Sequence, residues 1–178
     1  MDSKYGIGTI HNKLPWKSII DMYHFREMTI GNPVIMGRTT FESMGCKTLR
    51  GRKNIVLSTT LESNNPRVIV AKNLQEVLDM NLTNAFVIGG SQIYTLFMDH
   101  GLIDYMFITQ FRKDYKCHTF FPYERIDHRW ESEWNHYVIQ MNCSLHPEGG
   151  TYEEWSLKKD GSEAYPSEYR RGGPCRMV

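Results

Sequence analysis

A carboxylate set on the apolar stripe of a helix needs a partner, and Asp21 is placed that way. The stretch Ser18 to Thr29 reads as a helix in which residues three and four apart share a face, so Asp21 aligns with Phe25 and Met28, beside Met22 and Ile20. An unpaired ionised acid in such a place costs several kcal/mol. Two partners fit. Ser18-Ile19-Ile20-Asp21 matches a capping box, in which the acid reaches back to the helix start. A bound ligand with matching donors answers the same need, and both readings stand at this point.

A second chemistry-bearing pattern is a pair of strand-glycine-helix turns. Pro33-Val34-Ile35-Met36 runs into Gly37-Arg38-Thr39, followed by a helical stretch through Phe41, Met44 and Gly45. Ala85-Phe86-Val87-Ile88 runs into Gly89-Gly90-Ser91, before a helix with Ile93, Tyr94, Phe97 and Met98 on its apolar side. Helix N-termini present unpaired N–H groups, and glycine lets a phosphate approach the backbone. Two such turns together suit a dinucleotide. Neither is Gly-x-Gly-x-x-Gly, and tight packing also selects glycine.

The remaining elements have to position these groups. Ile55-Val56-Leu57, ending at Ser58-Thr59, and Val68-Ile69-Val70 read as buried strands, with a helix around Leu74, Val77 and Leu78. Met106 to Thr109, Trp134 to Met141 and Thr151 to Leu157 read as later strands, the last two as a hairpin around Pro147 and Gly149-Gly150. Alternating strands and helices predict an α/β domain over residues 1–159. Ligands then gather at the carboxyl ends of the strands. Residues 160–178, rich in Gly, Pro, Glu, Ser and Arg, are expected to be a disordered tail.

The 178 residues, 40% hydrophobic and 23% charged, suit one globular domain. A net charge of +1 with dispersed basic residues argues against nucleic acid. No apolar run reaches membrane-span length and Met1-Asp2-Ser3-Lys4 lacks a signal-peptide core, so no membrane and a cytoplasmic location are expected. Cys46, Cys117, Cys143 and Cys175 form no Cys-x-x-Cys pair, and the His residues show no metal spacing. Reduced thiols and no metal are expected. Cys175-Arg176-Met177-Val178 puts a Cys fourth from the end, but Arg176 and Val178 do not suit a prenylation signal.

The order of motifs resembles dihydrofolate reductase. The matching stretches are Gly6-Ile7-Gly8 with Leu14-Pro15-Trp16, then Asp21 and Phe25, Pro33 to Ser43, Gly51 to Ser58, Val87 to Tyr94, and Thr119-Phe120-Phe121-Pro122. They extend over roughly residues 4 to 158 in the family's order.

The resemblance implies a mixed, mostly parallel central sheet with flanking helices and a C-terminal antiparallel hairpin. It implies NADPH-dependent reduction of 7,8-dihydrofolate to tetrahydrofolate, supporting one-carbon and thymidylate metabolism, with antifolates such as methotrexate as inhibitors. By the same resemblance Asp21 grips the pterin through two oxygens, Thr109 braces it through its hydroxyl, and Trp16 closes the pocket. Met22, Phe25, Met44 and Leu49 would line the substrate, Arg52 would hold its glutamate carboxylate, and Tyr94 would lie near the nicotinamide edge. Gly8, Leu14, Gly37, Arg38, Thr39 and Gly89, Gly90, Ser91, Gln92, Ile93 would surround the cofactor. Arg38, Ser58, Thr59 and Lys72 would meet its 2′-phosphate, and Gly89-Gly90 is where the family has a cis peptide.

Three departures are visible. The family opens on an apolar central strand ahead of the loop with Gly8, where this chain has Met1-Asp2-Ser3-Lys4-Tyr5. The tail, with Ala164-Tyr165-Pro166 its best stretch, is not expected to replace that strand. This leaves a cut or misassigned start, a strand from a partner, or a catalytically impaired folate- or nucleotide-binding relative. The loop Cys46-Lys47-Thr48-Leu49-Arg50 is more basic than the family's, and His118 stands where an Asp often braces the mobile loop. The end of the chain also fits a linker remnant, as in fusions to thymidylate synthase. A pyrimidine reductase on the same fold is disfavoured by Asp21 after Trp16 and by Arg52.

Overall fold

A computed structural model of the protein describes residues 1–126, 130–133, 139–140, 151–159 and 176–177. The elements, in chain order, are β1 (Gly6–Gly8), α1 (Ile19–Thr29), β2 (Pro33–Gly37), α2 (Arg38–Ser43), β3 (Lys53–Leu57), β4 (Val68–Ala71), α3 (Leu74–Leu78), β5 (Phe86–Val87) and α4 (Ser91–Asp99). Then follow β6 (Tyr105–Phe111), β7 (Thr119–Phe120), a 3-10 turn (Tyr123–Arg125), β8 (Trp130–Glu133), β9 (Ile139–Gln140), β10 (Thr151–Lys159) and β11 (Arg176–Met177).

The main sheet runs β4-β3-β2-β5-β11-β6-β10-β8, with β9 also on β10. From β4 to β6 every pairing is parallel. The pairings of β10 with β6, β8 and β9 are antiparallel, which is the expected hairpin end. The strand expected over Trp134 to Met141 lies outside the described residues except for β9.

Central parallel strands are covered on both faces, so β2 carries an apolar run over Val34 to Met36 and β3 over Ile55 to Leu57. Alternation sends neighbours to opposite sides. Ile35, Ile55, Val87 and Met106 join Phe97 and Ile93 of α4 in one core. Val34, Met36, Val56 and Phe86 join Phe41 of α2 and Met28 of α1 in the other. Ser18 caps α1, its hydroxyl accepting from the Asp21 N–H at 3.2 Å.

One expectation needs correction. Within the tail, Arg176–Met177 are a strand, parallel to β5 on one side and β6 on the other. Two residues with no apolar period thus fill the central place for which the tail offered no convincing candidate. Burial between two ready-made edges decides the matter, not intrinsic propensity. Residues 160–175 and 178 lie outside the described residues.

Candidate functional site

The first two residues pack against β6 and the connection that follows it. The Met1 amino group donates to the Thr109 carbonyl, and the Met1 carbonyl accepts from the Phe111 N–H at 2.8 Å. Burial brings that amine down to about 6, against the pull of the Asp21 and Asp2 carboxylates and of Cys117. The charge of Asp21, near the start of α1, acts on that amine. Trp16 closes the same corner, its ring 4.7 Å from Phe111 and 5.4 Å from Tyr115. The Trp16 Nε1 is buried without an acceptor. A buried donor without an acceptor leaves hydrogen-bonding capacity that a polar ligand would take up.

The structure also settles how the helix start is capped. Ser18 takes up the backbone N–H of Asp21, and the reciprocal bond from the carboxylate to Ser18 is not among the hydrogen bonds of the described residues. Asp21 itself is half-buried. Its neighbours divide: Met28 is buried and Phe25 half-buried, but Met22 is 66% exposed, so Met22 is not part of a closed apolar stripe. Leu14, at 62% exposed, likewise stands open.

Arg52 meets the C-terminal half of α1. Its guanidinium donates to the Thr29 hydroxyl at 3.0 Å and lies over the Phe25 ring at 5.7 Å. Burial and the neighbouring Arg26 lower its pKa. A buried residue that the sequence reading passed over anchors its loop. Asn54 accepts from the Leu49 N–H at 2.9 Å and donates to the carbonyls of Leu49 at 3.0 Å and Arg52 at 2.9 Å. The signal was present: a polar residue opening an apolar strand run has to satisfy itself locally. Leu49 and Met44 pack half-buried against the core that holds Met28. A cleft of about 330 Å³ adjoins this loop, lined by Leu49, Arg50, Arg52, Lys53, Asn54 and Arg67 among others, and does not reach Asp21 or Trp16.

Asp2 is the other residue missed. It is 1% exposed and accepts from the N–H groups of Lys4 at 2.8 Å, Gly6 at 2.7 Å and Tyr115 at 3.1 Å. Burial pushes its carboxyl up, but the donors from Gly6, Lys4, Tyr115 and the Cys117 thiol outweigh that and hold it below the usual range. It ties the segment before Gly8 to the β6–β7 connection. β1 and β7 then pair antiparallel, and the Gly8 carbonyl accepts from the His118 N–H at 2.8 Å.

The two glycine turns meet. Gly37 donates its N–H to the Gly89 carbonyl at 2.7 Å, and Gly89-Gly90 is a cis peptide. Room for a side chain in these turns is tightest at Gly37. A Cβ on Gly37 would stand 3.0 Å from Ile93 Cγ1, and one on Gly90 3.4 Å from Thr40 Oγ1. Gly89 has φ +108°, and a Cβ there would stand 3.1 Å from the Tyr94 hydroxyl. Tyr94 is buried, which raises its pKa, and its hydroxyl lies against Gly89. Gly37 caps α2 and Gly90 caps α4, neither with a side-chain hydrogen bond. The backbone donors that open α4 at Ser91 and Gln92 therefore suit a phosphate.

The side chains expected at a 2′-phosphate converge on one loop. Arg38 bonds Glu42 at 2.6 Å and Thr60 at 2.8 Å, the Ser58 hydroxyl accepts from the Thr60 and Leu61 N–H groups, and Lys72 Nζ reaches the Leu61 carbonyl at 2.9 Å. Thr39 and Thr59 are exposed beside them. Among the described residues no group of His, Cys, Asp and Glu has the arrangement to hold a metal ion, and no helix is long and apolar enough to cross a membrane.

Comparison with known proteins agrees with this arrangement. The sequence profile described as dihydrofolate reductase matches residues 1–145. Over 169 residues the chain is 36% identical to dihydrofolate reductase of Bacillus subtilis (strain 168), covering 92% of this chain and 94% of that one. Over 159 residues it is 33% identical to dihydrofolate reductase of Pneumocystis carinii, covering 75% and 76%. Among solved structures, dihydrofolate reductase from Enterococcus faecalis complexed with NADP(H) and RAB-propyl superposes with a TM-score of 0.74 at 26% identity, over 90% of this chain and 93% of that one.

Proposed function

The chain belongs to the dihydrofolate reductase family, and from that premise we propose that Asp21, Trp16 and Thr109 bind and orient 7,8-dihydrofolate while the paired glycine turns hold NADPH. The enzyme is an NADP-dependent oxidoreductase whose product is tetrahydrofolate. NADPH, when bound, supplies the hydride to the carbon of the pterin ring imine.

The chain's residues do the rest. The Asp21 carboxylate accepts the pterin amino group and ring N–H as a planar pair, which fixes the ring's orientation. Its negative field favours protonation of the imine nitrogen as the hydride arrives, with water able to carry the proton. Trp16 Nε1, buried without an acceptor, supplies a donor at the rim of the ring. Phe25, Met22, Leu49 and Met44 give the apolar walls, and Arg52, already oriented by Thr29, is left with donors for the glutamate carboxylate. Tetrahydrofolate from this reaction would feed one-carbon transfer, including thymidylate synthesis.

A single observation carries the reading: a half-buried acid opens α1, and the Trp16 Nε1 that precedes it in the chain is buried without an acceptor. A binding-only relative was favoured by an unpaired centre in the sheet, and that centre is paired by β11. NADPH oxidation dependent on dihydrofolate tests the proposal. Asp21→Asn is expected to cut turnover at neutral pH by orders of magnitude while NADPH affinity stays nearly unchanged, and a small effect on turnover would refute the assignment.

A further inference from the structure

We propose that the slot between β5 and β6 is a strand-docking site whose occupant is this chain's own segment at Arg176–Met177, and that its docking sets the spacing between the two halves of the site. The register is parallel on both sides. Arg176 lies opposite Phe86 and Tyr105, and Met177 opposite Val87 and Met106.

The pairings define the slot. β10 covers one edge of β6 from Tyr105 to Phe111, and β2 covers one edge of β5 at Phe86 and Val87. Each strand therefore has a single edge left, and β11 takes both. Met1 lies along the same free edge of β6, bonded at Thr109 and Phe111. Two segments from opposite ends of the sequence thus share one lane of the sheet. Phe86, Val87 and Met106 are each 0% exposed, so the lane runs through the core. Backbone groups left unpaired there would have no water to turn to.

The position gives β11 its role in the site. β5 leads into Gly89-Gly90, the proposed cofactor turn, and β6 carries Thr109, whose carbonyl holds the Met1 amine and which the proposed function assigns to the substrate. Nothing else among the described strands joins β5 to β6. A peptide segment arriving from beyond residue 159 therefore acts as a spacer between the nucleotide half and the substrate half. It is a positioning segment, not a catalytic one.

Hydrogen exchange on the intact protein tests this without relying on activity, so it can fail independently of the assigned reaction. The amides at Phe86–Val87, Tyr105–Met106 and Arg176–Met177 are expected to be protected at least 100-fold over an unstructured chain, unchanged when the protein is diluted tenfold. Exchange at unstructured rates would overturn the proposal, and protection that falls on dilution would overturn it in favour of a strand from a second copy. Met177→Pro removes one N–H and does not fit a strand paired on both sides. It is expected to lower protection at Phe86–Val87 and Tyr105–Met106 tenfold or more and to lower Tm by about 5–10 °C. If both are unchanged, the segment does not hold the slot. If the variant does not fold, the exchange measurement on the intact chain decides.

Discussion

Gly37 donates its backbone N–H to the carbonyl of Gly89 at 2.7 Å, joining two turns that lie far apart in sequence. The bond holds the N-terminus of α2 against the strand end that feeds α4, and Ile93 packs where a Gly37 side chain would stand. The nucleotide half of the site is therefore one unit.

Gly37→Ala is expected to force Ile93 aside and spread the two turns, at about 1–3 kcal/mol in stability. The KM for NADPH should rise about tenfold or more, with that for dihydrofolate little changed. Steady-state kinetics with each substrate varied in turn check this. Equal rises in both would mean the turn is not specific to the cofactor.

Arg52→Gln removes the charged fork that Thr29 orients at 3.0 Å. The expected result is a rise of about 10–100-fold in KM for dihydrofolate, from about 1.5–3 kcal/mol of charge-assisted binding, with kcat within a few-fold of the parent. A substrate lacking the glutamate tail should not register the change.

Asn54→Ala leaves the Leu49 N–H and the carbonyls of Leu49 and Arg52 without the partners that now lie within 2.9–3.0 Å. A loss of about 1–3 kcal/mol in unfolding free energy is expected, together with a weaker KM for dihydrofolate. Denaturant titration beside kinetics separates the two effects. A variant that loses stability but keeps its KM would show that Asn54 does not position Arg52.

The Asp2 carboxyl is held below its usual range, so its contribution has a definite sign with pH. Stability from this group is present in full above the unfolded-state value of about 3.9 and is lost as pH falls through the lower folded value. Asp2→Asn is therefore expected to cost about 1–3 kcal/mol at pH 7 and progressively less in acid. Thermal melts of both proteins across that range should converge at low pH.

Burial, reinforced by Asp2, pushes the Cys117 thiol up to about 11, whereas Cys46 is exposed. Alkylation near pH 8, mapped by mass spectrometry, should label Cys46 well before Cys117, because the thiolate is the reactive form. Equal rates would contradict the packing of Cys117 against Asp2.

How much of this was legible in the residues depends on how local each cause is. The glycine turns could be read because a short apolar run stopped by glycine has few other meanings, and Asp21 because an acid on a helical stripe demands an explanation. Helical spacing gave Met22 a face but could not say what covers it, and among the described residues it is largely exposed. Asp2 and Asn54 were passed over because their work is done on backbone groups of loops, which have no periodicity. β11 was beyond reach for a different reason: Arg-Met carries no strand signal, and its place comes wholly from the two edges that receive it.

That arrangement has a bearing on how the molecule is made. Partners at Phe86 and Tyr105 wait for a residue numbered 176. During synthesis the middle of the sheet would stand open until those late residues clear the ribosome, and a nascent chain would have reason to keep a chaperone on that gap until then.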